Sequence, residues 1–163
     1  MEDPHPLATE VPKVLTSCKM AYTQAAPLTG LVYVHLNPKR SAFPILRIKD
    51  RLGRTHQLDP AEYRFILQKK CEPLMPTLIN ADPKERERLL SSFSLLIHRL
   101  GDLGLKNIDP RLSCNFGFIN GEAMALDVGN FIHDPARAKE DAAIFIPRLH
   151  RSLQNKLELK GRL

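Results

Sequence analysis

Tryptophan is absent from this 163-residue sequence, and aromatic residues make up only 6% of it. So small an aromatic content argues against a single-stranded nucleic-acid binder, since such proteins stack bases on aromatic side chains. The three cysteines, Cys18, Cys71 and Cys114, are far apart and form no C-x-x-C pair, which gives no support to a zinc ribbon or a disulfide framework. No apolar run approaches the roughly 20 residues that a membrane-spanning helix needs.

The amino terminus lacks the features of an export signal, since Met1-Glu2-Asp3-Pro4 is acidic and no apolar segment follows it. We therefore expect a cytoplasmic protein in a reducing compartment, with secretion as an effector left open. A content of 43% hydrophobic and 26% charged residues is ordinary for one folded domain. The net charge of +6 comes from scattered basic residues, so a solvated cationic surface is expected and a nucleic-acid partner is not.

The first half of the sequence predicts a helix followed by strands. Residues 1–10 hold two prolines and few apolar residues, which is typical of a loose leader. Apolar residues then recur at helical spacing up to Pro27 and Gly30, which are expected to end the helix. Alternating or β-branched patterns predict four strands, the middle two forming a hairpin around Gly53; they cover residues 31–36, 43–49, 54–58 and 63–69.

The second half predicts helices around a tight hairpin. Asp82 is expected to cap a helix, Glu85 to reciprocate, and Gly101 to end it. After a loop with no periodic pattern, Asn120-Gly121 between two apolar runs predicts a two-residue hairpin turn. A last helix opens at Asp134-Pro135, and Pro147 is expected to interrupt it. Because strands and helices segregate along the chain, the predicted fold class is α+β.

The predicted hairpin brings two oxygen-bearing side chains together. A turn at residues 120 and 121 places Asn115 opposite Leu126, and paired strands lie about 4.8 Å apart. The side chains of Asn115 and Asp127 are therefore expected to converge at the hairpin's open end as ligands for Mg²⁺. Gly129 is expected to let the backbone turn sharply and expose the carboxylate. The alternative is that both residues only make local turn hydrogen bonds.

The loop before Asn115 contains an acid and a cation, Asp109 and Arg111. A loop aspartate, a cation two residues later, a downstream asparagine and a hairpin ending in Asp-x-Gly resemble the protein-kinase-like superfamily. The resemblance implies that Asp109 is the catalytic base and Arg111 the cation for the γ-phosphate. It also implies that Asn115 and Asp127 are the two metal ligands, with Mg²⁺ and ATP as the cofactors.

Further segments resemble an uncharacterised family of kinase-like proteins of obligate intracellular bacteria. They include Thr29–Leu36, Lys49–Gly53, Phe65–Lys70, Asn115–Phe118 and Asp127–Phe131. The resemblance implies a truncated kinase-like fold, with a partial small lobe and hinge over 11–72 and an abbreviated helical large lobe over 73–163. Gln68, Lys69 and Lys70, at the hinge, would contact the nucleotide.

The sequence also departs from the kinase pattern. Asn107 stands where the pattern has histidine, the spacing from Asp109 to Asn115 is one residue longer, and Val128 replaces phenylalanine. No glycine-rich loop or V-A-I-K lysine is found, and Glu10 could serve as the ion-pair acid only in a longer first helix. We therefore expect weak or absent phosphotransfer. The alternatives are a non-enzymatic scaffold or host-directed module with an unknown protein partner and, less favoured, a basic nucleic-acid binder.

Overall fold

The computed structural model describes residues 6–36 and 43–161 and has a mixed α+β architecture. In this described part of the chain, the secondary structure comprises four α-helices and four small antiparallel sheets. The helices described are α1 (Pro6–Thr29), α2 (Leu74–Asn80), α3 (Pro83–Asp102) and α4 (Pro135–Lys160). The strands described are β1 (Leu31–His35), β2 (Leu46–Lys49), β3 (Thr55–Leu58), β4 (Phe65–Gln68), β5 (Glu72–Pro73), β6 (Leu105–Asn107), β7 (Phe116–Ile119), β8 (Glu122–Ala125) and β9 (Phe131–His133).

The first helix is longer at both ends than the sequence predicts. Residues 6–10 of the expected leader belong to α1, because a proline is accepted in a first helical turn; residues 1–5 lie outside the described part of the chain. The helix reaches Thr29, although Ala25 leaves helical geometry with φ −132° and ψ 21°. This break comes two residues before Pro27, which lies in the final turn instead of ending the helix.

The predicted strands of the first half are confirmed, with shorter bounds. β1 pairs with β4 in antiparallel register, His35 opposite Phe65. β2 pairs with β3 as the expected hairpin, Lys49 opposite Thr55. Asp50 fixes the tip of that hairpin, because its carboxylate accepts hydrogen bonds from the backbone amides of Leu52 and Arg54.

The capping of α3 agrees with the sequence only in part. Asp82 Oδ1 accepts a hydrogen bond from the Glu85 amide at 2.9 Å, as expected of a capping residue. The reciprocal bond was a wrong expectation, since the Glu85 carboxylate instead forms an ion pair with Arg88. Gly101 does not end α3 either. It is buried within the helix, and a methyl group there would lie 3.1 Å from the Ala138 carbonyl oxygen of α4, so the glycine permits close helix packing.

The hairpin of β7 and β8 forms as the Asn-Gly pair predicts. Asn120 has a φ of 52° and Gly121 a φ of 79°, the left-handed conformations that a two-residue type I′ turn requires. β5 adds a third strand along β7. Its two residues lie on either side of the expected boundary between the small and large lobes, between residues 72 and 73. An added methyl group on Gly117 would lie 2.6 Å from the Glu72 carbonyl oxygen, so the close approach of β5 needs a glycine there.

The segment 101–115 is not the unstructured loop that its sequence predicts. It contains β6, which pairs with β9 so that Asn107 lies opposite Phe131. Lys106 of β6 forms a buried ion pair with Asp141 of α4 at 2.5 Å. Pro147 does not interrupt α4, which continues to Lys160. Phe145 and Leu149, on either side of the proline in sequence, are both buried, and their burial offsets the hydrogen bond that a proline cannot donate.

Candidate functional site

The open end of the β7–β8 hairpin brings Asn115 and Asp127 together, as the predicted turn requires. The Leu126 amide donates to the Asn115 carbonyl at 2.8 Å and closes the ladder. One step beyond, Asn115 Nδ2 lies 3.4 Å from Asp127 Oδ2. The geometric part of the prediction is thus met by the structure, whereas metal binding at this pair stays a prediction.

The amide of Asn115 is oriented by the loop that precedes it. Nδ2 donates to the Asp109 carbonyl oxygen at 2.5 Å, while Oδ1 accepts only from the Cys114 thiol at 3.0 Å. The side chain is deeply placed, with Asn115 only 4% exposed. Because the nitrogen is used within the loop, Oδ1 is the atom with capacity for a cation, after displacement of a weak thiol donor.

The carboxylate of Asp127 is held by long contacts. Oδ1 lies 3.3 Å from the Gly129 amide, and Oδ2 lies 3.3 Å from Asn130 Nδ2. These distances, like the 3.4 Å to Asn115, exceed the usual 2.7–3.2 Å for N–H···O bonds, so the carboxylate is positioned without being saturated. Asp127 lines a large cleft, and it is therefore the accessible member of the pair.

Gly129 does not play the role that its position after Asp127 predicts. The residue lies in a short 3-10 turn over Val128–Asn130, and its φ is not positive. An added methyl group would meet Val14 at 3.5 Å and Asp127 Oδ1 at 3.6 Å, which are ordinary van der Waals distances. The backbone does turn after Asp127, but the turn needs no glycine conformation, and the Asp127 side chain caps it by accepting from the Gly129 amide.

Asn107, at the place of the kinase-pattern histidine, links the loop to the Asp127 turn. Its Oδ1 accepts from the Asp109 amide at 2.9 Å, and its Nδ2 lies 3.4 Å from the Asp127 carbonyl oxygen. Asp109 itself is partly exposed and forms an ion pair with Arg111 at 3.0 Å. The structure therefore brings the predicted residues Asp109, Arg111, Asn115 and Asp127 into one cluster.

Ser17 of α1 anchors the same turn, a role that no pattern in the sequence indicates. Its hydroxyl donates to the Val128 carbonyl at 2.6 Å and accepts from the Phe131 amide at 2.6 Å. Ser17 is almost fully buried, so these two bonds are shielded from water. The position of Asp127 is thereby coupled to the position of α1.

A cleft of about 750 Å³ lies between α1, the start of β4 and the Asp127 turn. Its lining is mostly apolar, and its charged members are Glu62, Arg64 and Asp127. Arg64, which was not foreseen as a site residue, is mostly exposed and donates from Nε to the Leu36 carbonyl at 3.0 Å. Cys18 also lines the cleft, and burial together with the negative charge of Asp127 raises the pKa of its thiol.

The structure places the three predicted nucleotide-contacting residues away from this cleft. Gln68 Nε2 is engaged with two backbone carbonyls, that of Thr29 at 2.6 Å and that of Ala125 at 3.2 Å. Lys69 is exposed and lines a separate depression beside Gly30. Lys70 is exposed as well, and none of the three side chains is among the residues that line the 750 Å³ cleft.

The described part of the chain contains no cluster of three or more His, Cys, Asp or Glu side chains suited to a metal ion. Within residues 6–36 and 43–161, none of the helices has the length and apolarity to cross a bilayer. Comparison with family models, with curated proteins and with solved structures returned no match for this chain.

Proposed function

We propose that this chain is a protein-kinase-like domain with weak or absent phosphotransfer that retains a magnesium–nucleotide site at Asn115 and Asp127. The observation that carries the proposal is the contact of the Asn115 amide with both the Asp109 carbonyl and the Asp127 carboxylate. One buried amide thus joins the loop that would hold the catalytic base to the turn that would hold the metal.

The order and pairing of elements support the kinase-like interpretation. A helix precedes two antiparallel pairs of strands, a connecting segment with β5, and two helices. A short strand, a loop, a tight hairpin and a second short strand then follow. β6 and β9 flank the loop and the Asp127 turn, and their pairing fixes the two relative to each other. This arrangement resembles the catalytic loop and Asp-x-Gly segments of kinases, with Asn107 bridging them in place of histidine.

In this proposal Asp127 is the principal ligand and Asn115 Oδ1 the second. Two protein oxygens are few, but Mg²⁺ commonly keeps several waters and takes further ligands from phosphates. Magnesium alone should therefore bind weakly, and nucleotide should increase its affinity. Arg64, on the wall of the cleft, is the cation placed to meet phosphate oxygens.

Weak phosphotransfer is expected because few cationic side chains are available to bind the phosphates. Among the residues described as lining the cleft there is no lysine, and Arg111 is paired with Asp109. Losing one preorganised charged contact typically costs about 3–4 kcal/mol of transition-state stabilisation, a factor of 10² to 10³ in rate.

Thermal unfolding with Mg²⁺ and ATP tests the proposal. If the dissociation constant is on the order of 1 mM, 10 mM of the complex adds about 1.4 kcal/mol of stability, which raises Tm by about 3–6 °C. Asp127→Asn should abolish the shift, and Arg64→Ala should reduce it. Glu140→Gln, a neutralised exposed acid on α4, should leave it unchanged. A wild-type protein with no shift at 10 mM contradicts the nucleotide site.

A second candidate, a non-enzymatic interaction module, is favoured by the cleft's composition. Val14, Leu15, Leu36, Phe65 and Ile66 give it an apolar wall that suits an aliphatic or aromatic group better than a triphosphate. If Mg²⁺ and ATP produce no shift while an apolar dye binds in the cleft and is displaced by the larger side chain of Val14→Trp, this candidate replaces the first.

A further inference from the structure

The β2–β3 hairpin, with the residues at its ends and tip (45–58), stands apart from the rest of the molecule. Within residues 6–36 and 43–161, the extensive packing of β2 and β3 on secondary-structure elements is between these two strands themselves. Every residue of β2 is exposed, and so are all but Leu58 in β3. An isolated two-stranded hairpin is marginally stable in water, so the Asp50 bonds at its tip have to fix its shape.

The hairpin exposes aliphatic side chains that a free surface would not be expected to carry. Leu52 at the tip is 76% exposed, and Ile45 at the base is 60% exposed. Leu46 and Ile48 lie on one face, since alternate residues of a strand point to the same side. Four exposed aliphatic residues therefore lie within eight positions of the sequence, at the base of the hairpin, on one face of β2 and at the tip.

The opposite face and the tip are cationic. Arg47 and Lys49 alternate with the aliphatic residues, and Arg51 and Arg54 flank Leu52. Residues 45–58 contain these four cations and one acid, Asp50, so their net charge is +3, half of the +6 of the whole chain. The Asp50 carboxylate is already bonded to Arg54 at 3.0 Å and His56 at 3.1 Å.

We propose that this hairpin docks on the surface of an anionic phospholipid bilayer. Aliphatic residues enter the headgroup–acyl boundary, and long cationic side chains reach back to lipid phosphates. Clusters of four or more Lys or Arg residues on an amphipathic helix are typical of anionic-lipid recognition, and this hairpin carries the same combination of cations and aliphatic residues on strands. A nucleic acid fits less well, since stacking on bases needs aromatic side chains and the hairpin strands and tip carry none. The inference is independent of the proposed nucleotide site.

Co-sedimentation of the full chain with vesicles tests the proposal. We expect binding to vesicles of 30% phosphatidylserine and 70% phosphatidylcholine at 100 mM salt, and much weaker binding to pure phosphatidylcholine. The double variant Arg47→Gln/Lys49→Gln should bind about 25-fold more weakly, since each cation near an anionic surface contributes a factor of about five. Leu52→Ser should weaken vesicle binding about tenfold or more, because the transfer of a leucine side chain from water into the bilayer no longer contributes to the affinity.

The matched control removes the same charge elsewhere. Arg151→Gln/Lys156→Gln changes two exposed cations of α4 and should retain vesicle binding within about twofold. All variants should unfold at the wild-type temperature, because the hairpin is not part of the core. The proposal is overturned if the control variant loses as much vesicle affinity as the hairpin variant. It is also overturned if the wild-type chain binds neutral and anionic vesicles equally or does not bind anionic vesicles. The proposal is also overturned if the chain binds a 20-nucleotide RNA more tightly than anionic vesicles and Leu52→Ser leaves the RNA affinity unchanged. That result would make the hairpin a nucleic-acid site.

Discussion

Replacing Asp141 with alanine removes the acidic partner of a buried ion pair that holds β6 against α4. The side chain of Lys106 is only 15% exposed and that of Asp141 only 8%. Removing one member of such a pair strands the other charge in a poorly hydrated site, which typically costs about 3–5 kcal/mol. The better helix propensity of alanine offsets about 0.5 kcal/mol or less of this.

The expected loss is large enough to measure by urea unfolding. With an m-value of about 2 kcal/mol/M, a loss of about 4 kcal/mol lowers the urea midpoint by about 2 M. The corresponding Tm decrease is about 8–16 °C for a chain of this size. Glu140→Ala, an exposed acid beside Asp141, should change stability by less than about 0.5 kcal/mol.

A double variant distinguishes the cost of an unpaired buried charge from the cost of lost packing. Lys106→Met with Asp141→Ala leaves no unpaired charge, so we expect it to be more stable than Asp141→Ala alone by about 2 kcal/mol. If Asp141→Ala costs under about 1 kcal/mol, or if the double variant is no more stable than the single one, the ion pair does not hold β6 as inferred.

The remaining predictions concern the glycines and the thiol near the Asp127 turn. Gly117→Ala should cost about 2 kcal/mol or more in the unfolding free energy measured by denaturant titration, because the methyl group meets the β5 backbone at 2.6 Å; Gly129→Ala, which has room, should stay within about 1 kcal/mol of wild type. If Gly117→Ala and Gly129→Ala lower the unfolding free energy equally, the close approach of β5 does not require Gly117. Because the charge of Asp127 contributes to the raised pKa of Cys18, Asp127→Asn should lower that pKa and accelerate alkylation of Cys18 at pH 8, as followed by mass spectrometry. An unchanged alkylation rate in Asp127→Asn would show that the carboxylate does not influence the thiol.

The sequence predicts the features that depend on a few adjacent residues, which are the hairpin turn and the helix cap. Asn120 and Gly121 adopt positive φ angles with little strain, so the turn, its register and the meeting of Asn115 with Asp127 follow from a few adjacent residues. Asp82 caps α3 for a similarly local reason.

Long-range contacts explain where the sequence misled. Gly101 lies one residue before the end of α3, so its position is predicted closely, but its close approach to the Ala138 carbonyl of α4 depends on the fold. β6 is only three residues long and is stabilised by pairing with β9, about 25 residues away in sequence, so no periodicity could reveal it. Ser17 is also an ordinary helix residue in sequence, and only the fold brings it to the Asp127 turn.

Gln68 has a consequence for motion. Its amide nitrogen binds the Thr29 carbonyl before β1 and the Ala125 carbonyl at the end of β8, so one side chain joins two sheets that no strand connects. The Ser17 bonds between α1 and the Asp127 turn also link this part of the molecule, so both contacts resist a hinge motion of one sheet against the other. Loss of the Gln68 amide would remove one of the contacts that hold the two sheets in their relative position.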